Sequence, residues 1–408
     1  MADTVSDSPT PPAPAPFIFV ICQNGAESAT KLEIMNNHPN LNLAFSRPGF
    51  ITFKVSSETP LPQRFTLKSA LARTYGWSLG KCTSQDASSM VAEISTLAEF
   101  KKSNHLHVWQ RDPFTPGKNG FEPGISALAN EVGNLFKATA DEASTKLVVN
   151  KESKPDDLIF DVVMVEPNEW WYGYHFASTV AGRWPGGTPA IDTTVETYSR
   201  AYLKLSEALL WSGITIQPGD ICAEIGSAPG GACQLLLEKG ANVIGIDPAE
   251  METGILEHKN FVHIRKRGSD VKRKEFRNTK WLLSDLNADP KFSIETVADI
   301  VNHPLVDVKG IILTLKFSEW KNATSISDLM KAVKALGFQV VKARQLAFNR
   351  REICLVAVKD KFVLRLGKKH VKPKKPTQSD KQSDKQSDKQ SDKQSDKQPD
   401  KQSDKQST

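Results

Sequence analysis

Apolar and polar positions follow two different rhythms along the 408 residues. Up to about Ser178 the apolar runs are short: "FIFVIC" at 17–22, "LNLAFSRPGFITFKV" broken at Pro48-Gly49, "HLHVWQR", and "DLIFDVVMVEPNEWWYGYHFAS" with a turn between Glu166 and Glu169. Runs of this length, rich in β-branched and aromatic residues and bounded by Gly, Pro or Asn, predict strands. The stretches "AESATKLEIMNN", "RFTLKSALARTYGW" and "ASSMVAEISTLAEFKK" carry the wider spacing of helices. Residues 17–110 are therefore expected to form an α+β domain. The Gly- and Pro-rich "RDPFTPGKNGFEPG" opens a region, 111–193, read as a linker with one helix followed by a hairpin.

From Thr194 the rhythm becomes regular. Apolar runs at 220–226, 241–247, 261–265, 281–285, 310–316, 339–344 and 352–359 are separated mostly by helical segments, which predicts a doubly wound, Rossmann-like α/β domain over 194–364. The last two runs are joined only by "RQLAFNRRE", too short for a parallel crossover. They are expected as an antiparallel pair at one edge of an otherwise parallel sheet.

Both ends fall outside these rhythms. The leader 1–16 is Pro-rich and lacks the basic start and apolar core of a signal peptide. Residues 365–408 open with the basic "RLGKKHVKPKKP" and continue as "QSDK" repeats without an apolar residue; such a tail cannot bury a core and is expected to be disordered. No apolar run approaches the roughly 18 residues of a membrane span.

Composition adds little until charge is located. A net charge of +6 favours an anionic partner only slightly. The basic residues concentrate in "HIRKRGSDVKRKEFRNTK" (His263 to Lys280) and in 365–376, where they suit an RNA backbone or else a solvated surface. The aromatic cluster Trp170, Trp171, Tyr172, Tyr174 and Phe176 is either a base-stacking platform or core. Five cysteines, odd in number and without a C-x-x-C pair, argue against disulfides and structural zinc, and point to a reducing, cytoplasmic compartment. The eight histidines show no ligand-like spacing, so no metal is expected.

The chemistry begins at "DICAEIGSAPGGACQLLLEKGANVIGID" (220–247). A strand, a Gly-rich turn, a helix and a second strand ending in an acid form a β-α-β nucleotide unit, but Gly226, Gly230 and Gly231 match neither dinucleotide nor phosphate-loop spacing. Gly230 and Gly231 are expected to let backbone approach a ligand, and the helix start to favour a carboxylate. Asp247 is placed to bond a ribose diol. Without a Lys-Ser/Thr after the glycines, ATP and GTP recede and S-adenosylmethionine (SAM) leads. Lys316 and Asp285 each terminate an apolar run on this same edge; Lys204 lies on the helix before the first strand and Glu352 opens the last.

At these residues the chain resembles the FtsJ-like RNA 2′-O-ribose methyltransferases, through "WYGYHFASTVAGRWPGGTP", "SRAYLKLSEAL", "GSAPGGACQLL", "VIGIDPAEM", "WLLSDL", "ILTLKF" and "RREICLVAV". The resemblance implies a SAM methyltransferase domain, a ferredoxin-like and THUMP-like RNA-binding N-terminal region, and a cytidine ribose of 23S rRNA as target. It implies Lys316 as proton acceptor, completed by Lys204, Asp285 and Glu352. It also implies Ser199, Gly226, Ala228, Pro229, Gly230, Gly231, Asp247 and Asp285 around the methyl donor. Where related enzymes carry an acid after the third strand, this chain has Arg267, unless a small insertion brings Asp270 into register to contact the adenine. A hydroxyl must lose its proton as it attacks, and a second lysine nearby would favour the neutral, accepting form of Lys316. Another RNA such as tRNA, or a non-catalytic RNA-binding or ribosome-assembly role on the same fold, are the alternatives.

Overall fold

The strand-like runs of the first half join into one eight-stranded sheet in a computed structural model that describes residues 15–142 and 146–360. The expectations for the leader and for residues 365–408 fall outside the described residues. The elements are β1 (Phe17–Cys22), α1 (Glu27–Asn37), β2 (Leu41–Arg47), β3 (Phe50–Val55), β4 (Ala72–Thr83), α2 (Ala87–Ser95), α3 (Ala98–Lys102), β5 (His105–Gln110), α4 (Ala127–Glu142), β6 (Val148–Val149), β7 (Leu158–Glu166) and β8 (Glu169–Phe176). Their spatial order is β2-β3-β1-β4-β8-β7-β5-β6. The expected boundary at 110 thus falls at the end of β5, inside a continuous sheet. Period-2 alternation sets its two faces: Leu106, Val108, Phe160, Val162 and Trp170 pack under α2 and α4, while Trp109, Val163 and Val165 face the other way.

One expectation for this half changes. "RFTLKSALARTYGW" is not helical: 64–71 is irregular and Ala72 onward is β4, paired with β1 on one side and β8 on the other. Thr74, Tyr75 and Trp77 suit a pleated surface, and pairing on both edges outweighs the apolar spacing. Within the aromatic cluster, Trp170 and Tyr174 are fully buried. Trp171 stacks on Phe45 of β2, ring centroids 5.1 Å apart, so the sheet coils strongly enough to bring distant strands together.

The second half comprises α5 (Ala201–Ser212), β9 (Ile221–Ile225), α6 (Gly231–Glu238), β10 (Asn242–Ile246), α7 (Thr253–Leu256), β11 (Phe261–Ile264), β12 (Trp281–Ser284), α8 (Pro290–Val301), β13 (Gly310–Lys316), α9 (Ile326–Lys334), β14 (Val340–Arg344) and β15 (Glu352–Val358). All seven expected strands are present, in the order β11-β10-β9-β12-β13-β15-β14. β15 runs antiparallel to both of its neighbours, one place in from the β14 edge. Residues from α5 and α6 cover one face and residues from α8 and α9 the other. The chain moves outward from β9 through β10 to β11 and then returns to β12, so the order reverses between β9 and β12. Ligands of doubly wound sheets bind at the carboxyl ends of the strands at such a reversal.

Candidate active site

Four charged side chains from separate parts of the chain meet at that carboxyl edge. Lys316, the last residue of β13, stands directly opposite Glu352, the first of β15. Asp285 follows β12, and its N–H still bonds the carbonyl of Ile225 on β9. Lys204 reaches in from the first turn of α5. Its Nζ donates to Asp285 Oδ2 at 2.6 Å and lies 3.2 Å from Glu352 Oε1. Lys316 Nζ lies 3.1 Å from Asp285 Oδ1 and 3.4 Å from the Asp285 carbonyl oxygen. Asp285 therefore bridges both lysines, and Lys204 bridges both acids.

Exposure separates the two lysines. The Lys316 side chain is 29% exposed against 12% for Lys204, so Lys316 is the lysine more open to the surface. Burial by itself would push the Lys204 ammonium down, but the neighbouring Asp285 and Glu352 outweigh it and hold the group above the ordinary lysine value. Lys204 is a fixed cation that meets the charge of two carboxylates, rather than a free like charge beside Lys316.

The loop that delivers Glu352 is held from behind by a residue the sequence reading did not single out. Glu207 on α5 is fully buried, and its carboxylate accepts from the N–H groups of Ala347 (2.9 Å) and Phe348 (3.1 Å). Arg200, just before α5, grips Glu122 with two nitrogens and donates to the Phe348 carbonyl at 3.0 Å.

Beside the tetrad lies the Gly-rich turn. Gly226 has φ +80°, and a Cβ there would sit 2.9 Å from the Asp285 carbonyl oxygen; the missing side chain lets the turn lie directly against the tetrad. At Gly230 a Cβ would meet Ile255 at 2.8 Å, and at Gly231 it would meet Ser199 Oγ at 2.3 Å. The space expected for a ligand at these two glycines is claimed first by the protein itself. Gly230 is the N-cap of α6 and makes no side-chain capping bond to the helix start. Ser199 is packed onto that start, and Ala228-Pro229 forms the crest of the turn.

Asp247 directly follows β10. Its Oδ2 accepts from Ala228 N at 3.2 Å and its Oδ1 from Ala249 N at 2.8 Å, so it ties the turn to the second strand. An ionised carboxylate has about four lone-pair sites, and these two bonds leave acceptor capacity for a diol. Asp270 is exposed and bonds the hydroxyl of its neighbour Ser269. Its loop reaches the site through Gly268, whose Cβ position lies 2.6 Å from Ile225 at the end of β9.

Glu224 was also missed. It is buried within β9, where the acid in "ICAEIG" was the available signal, and Cys233 Sγ–H donates to its Oε2 at 3.0 Å. Burial pushes its carboxyl up to about 8. With Lys204, Ser284, Asp285 and Thr314 it lines a cavity of about 30 Å³ behind the tetrad. That volume suffices for one water.

The basic stretch from His263 is partly committed elsewhere: Arg265 pairs with Glu250, Arg273 with Asp299 and Lys280 with Asp220. Lys266, Arg267, Lys272, Lys274 and Arg277 remain exposed.

The family model described as FtsJ-like methyltransferase matches residues 197–377, which contain the turn and all four charged residues. Over those residues the chain is similar to an FtsJ-like methyltransferase domain. Such a domain takes SAM as its methyl donor, and the uncapped start of α6 together with the spare acceptor capacity of Asp247 fits a ligand bearing a carboxylate and a ribose. The chain is 29% identical over 188 residues to ribosomal RNA large subunit methyltransferase M of Xanthomonas euvesicatoria pv. vesicatoria, covering 43% of this chain and 52% of the relative. The same-named protein of Xanthomonas campestris pv. campestris is 29% identical over 196 residues, covering 45% of this chain and 54% of the relative. The chain thus spans about half the length of the relatives it matches. Among solved structures, the fibrillarin pre-rRNA processing protein of Methanococcus jannaschii aligns with a TM-score of 0.32 at 14% identity, over 48% of this chain and 81% of that one. Among the described residues, no helix is long and apolar enough to cross a membrane.

Proposed function

We propose that this chain is a SAM-dependent RNA methyltransferase that modifies a ribose 2′-hydroxyl, acting in the cytoplasm on a cytidine of large-subunit (23S) ribosomal RNA. The observation that carries this reading is the closed set of contacts among Lys204, Asp285, Lys316 and Glu352 beside the Gly-rich turn. The names of the relatives support ribosomal RNA as the substrate.

SAM, when bound, supplies an electrophilic methyl group on a sulfonium. The residues that would hold it are Ser199, Gly226, Ala228, Pro229, Gly230, Gly231 and Asp247, with Asp285 beside them and Asp270 toward the adenine. Lys316, the more exposed lysine of the set, accepts the proton of the ribose hydroxyl as its oxygen attacks. A base placed there acts on the transition state, because the hydroxyl is a poor nucleophile until that proton moves. Asp285 fixes the position of Lys316 Nζ through Oδ1 and through its own carbonyl. Lys204, held as a cation, takes up the charge of Asp285 and Glu352, so that neither acid is left uncompensated beside the base. The exposed cations between Lys266 and Arg277 and the N-terminal sheet would hold the RNA, phosphate contacts positioning it without reading its sequence.

The test is methyl transfer from radiolabelled SAM to a 23S rRNA transcript, with tRNA in parallel, followed by mapping of the modified nucleotide. Label in a 2′-O-methylcytidine of the rRNA is expected. Label only in tRNA would move the substrate assignment, and label on a base would remove the ribose assignment.

A further inference from the structure

Three buried residues of the N-terminal sheet converge: His107 on β5, Asp161 on β7 and His175 on β8. His107 and Asp161 are register partners across adjacent parallel strands. One ligand-type atom from each residue lies within 4.8 Å of those from the other two. The sequence reading found no such site because the three residues come one each from three strands.

A backbone carbonyl holds each imidazole ring through its Nε2. His107 Nε2 lies 3.1 Å from the Lys151 carbonyl oxygen and His175 Nε2 lies 2.6 Å from the Gly182 carbonyl oxygen. A carbonyl can only accept, so each Nε2 carries a proton and each Nδ1 is the nitrogen left to bind an ion. His175 Nδ1 is 2.5 Å from Asp161 Oδ2. His107 Nδ1 and Asp161 Oδ1, both fully buried, have no hydrogen-bond partner among the described residues. Leaving a buried polar atom unsatisfied costs about 1–3 kcal/mol. One cation between them would satisfy both atoms. Imidazoles whose second nitrogen donates to a backbone carbonyl are the usual form of histidine metal ligands.

We propose that His107 Nδ1, Asp161 and His175 Nδ1 bind a divalent transition cation of the zinc class. Two imidazoles and a carboxylate are a zinc-type donor set, with a fourth position left for water. Binding replaces the contact between His175 Nδ1 and Asp161 Oδ2, and the proton in it leaves to solvent. Through Lys151 and Gly182 the ion fastens the segments around 151 and 182 onto β5, β7 and β8. The site is structural and independent of the methyl-transfer reading.

The test uses the full chain, purified with a chelator and desalted, then titrated with Zn²⁺ and separately with Co²⁺. One equivalent of each is expected to bind, with a visible Co²⁺ d–d spectrum typical of nitrogen and oxygen ligands, and Zn²⁺ raises the melting temperature. Asp161→Asn and His107→Phe lower the affinity at least tenfold, with far-UV circular dichroism confirming that each variant is folded. If both variants unfold, the wild-type Co²⁺ spectrum decides alone. Absence of saturable binding by the wild-type chain, a thiolate charge-transfer band that puts the ion on a cysteine, or unchanged affinity in the folded variants overturns the site.

Discussion

Lys316 and Glu352 face each other across the antiparallel pair β13 and β15, each at the end of its strand that meets the carboxyl edge of the sheet. Side chains alternate faces along a strand, so a slip of one residue in this register would send Glu352 to the opposite side of the sheet. The antiparallel insertion of β15 is thus what delivers an acid beside Lys204, 3.2 Å from its Nζ, on the edge where β12 ends in Asp285.

The proton-acceptor role separates Lys316 from the residues that only hold it. Lys316→Ala is expected to lower methyl transfer roughly 100- to 10,000-fold, the usual range for loss of a positioned base. SAM binding, measured by calorimetry, should be nearly unchanged. Substantial turnover by the variant in the radiolabel assay would remove Lys316 from the chemistry.

Gly226 links the cofactor turn to the tetrad through backbone rather than side chain. Gly226→Ala puts a methyl 2.9 Å from the Asp285 carbonyl oxygen at a φ of +80°, a conformation costly for any L side chain. The carbonyl must move, and with it the contact that steadies Lys316. We expect both weaker SAM binding and slower turnover, with a modest loss of stability, about 1–3 kcal/mol. Wild-type kinetics in this variant would show that the turn and Asp285 are not mechanically linked.

The alternation of apolar runs predicts all seven strands of the second sheet, because most runs are bounded by Gly, Pro or charged residues and most of the connections have the length a helix needs. Lys316 and Asp285 were legible for the same reason: a charge closing an apolar run has only a strand end to occupy. Glu207 was not legible, since an acid on an amphipathic helix ordinarily faces water, and only the returning loop at 347–348 turns it inward. Arg64–Trp77 misled because its apolar spacing fits a helix, whereas the two partners of β4 lie far away in sequence, at β1 and β8. Likewise Ser199 and Gly231 meet across two helix starts, a contact that neither local pattern encodes.

Glu207 should act through position. Glu207→Ala leaves the N–H groups of Ala347 and Phe348 without their acceptor, at about 1–3 kcal/mol for each that stays buried. The loop then loosens ahead of Glu352. Turnover is expected to fall at saturating SAM while Glu207→Gln, which keeps one acceptor oxygen, recovers part of it. Equal loss in the two variants would mean that the charge, not the loop contact, is what matters.

Glu224 gives stability a pH dependence of unusual sign for an acid. Its carboxyl is raised by burial from 4.5 to about 8, so between these values the folded chain holds a proton that the unfolded chain has released. Stability must then fall as pH rises through that window, with the loss complete above about 8. The size of the effect is on the order of 3 to 5 kcal/mol. Glu224→Gln keeps an acceptor for the Cys233 thiol and cannot ionise, so this part of the pH dependence should vanish. Chemical denaturation of both proteins near pH 5 and near pH 9 measures it. The variant is expected to match the wild-type chain at the acidic end and exceed it at the alkaline end; parallel curves would mean that Glu224 is ionised in the folded protein, stabilised by Lys204 across the cavity they share.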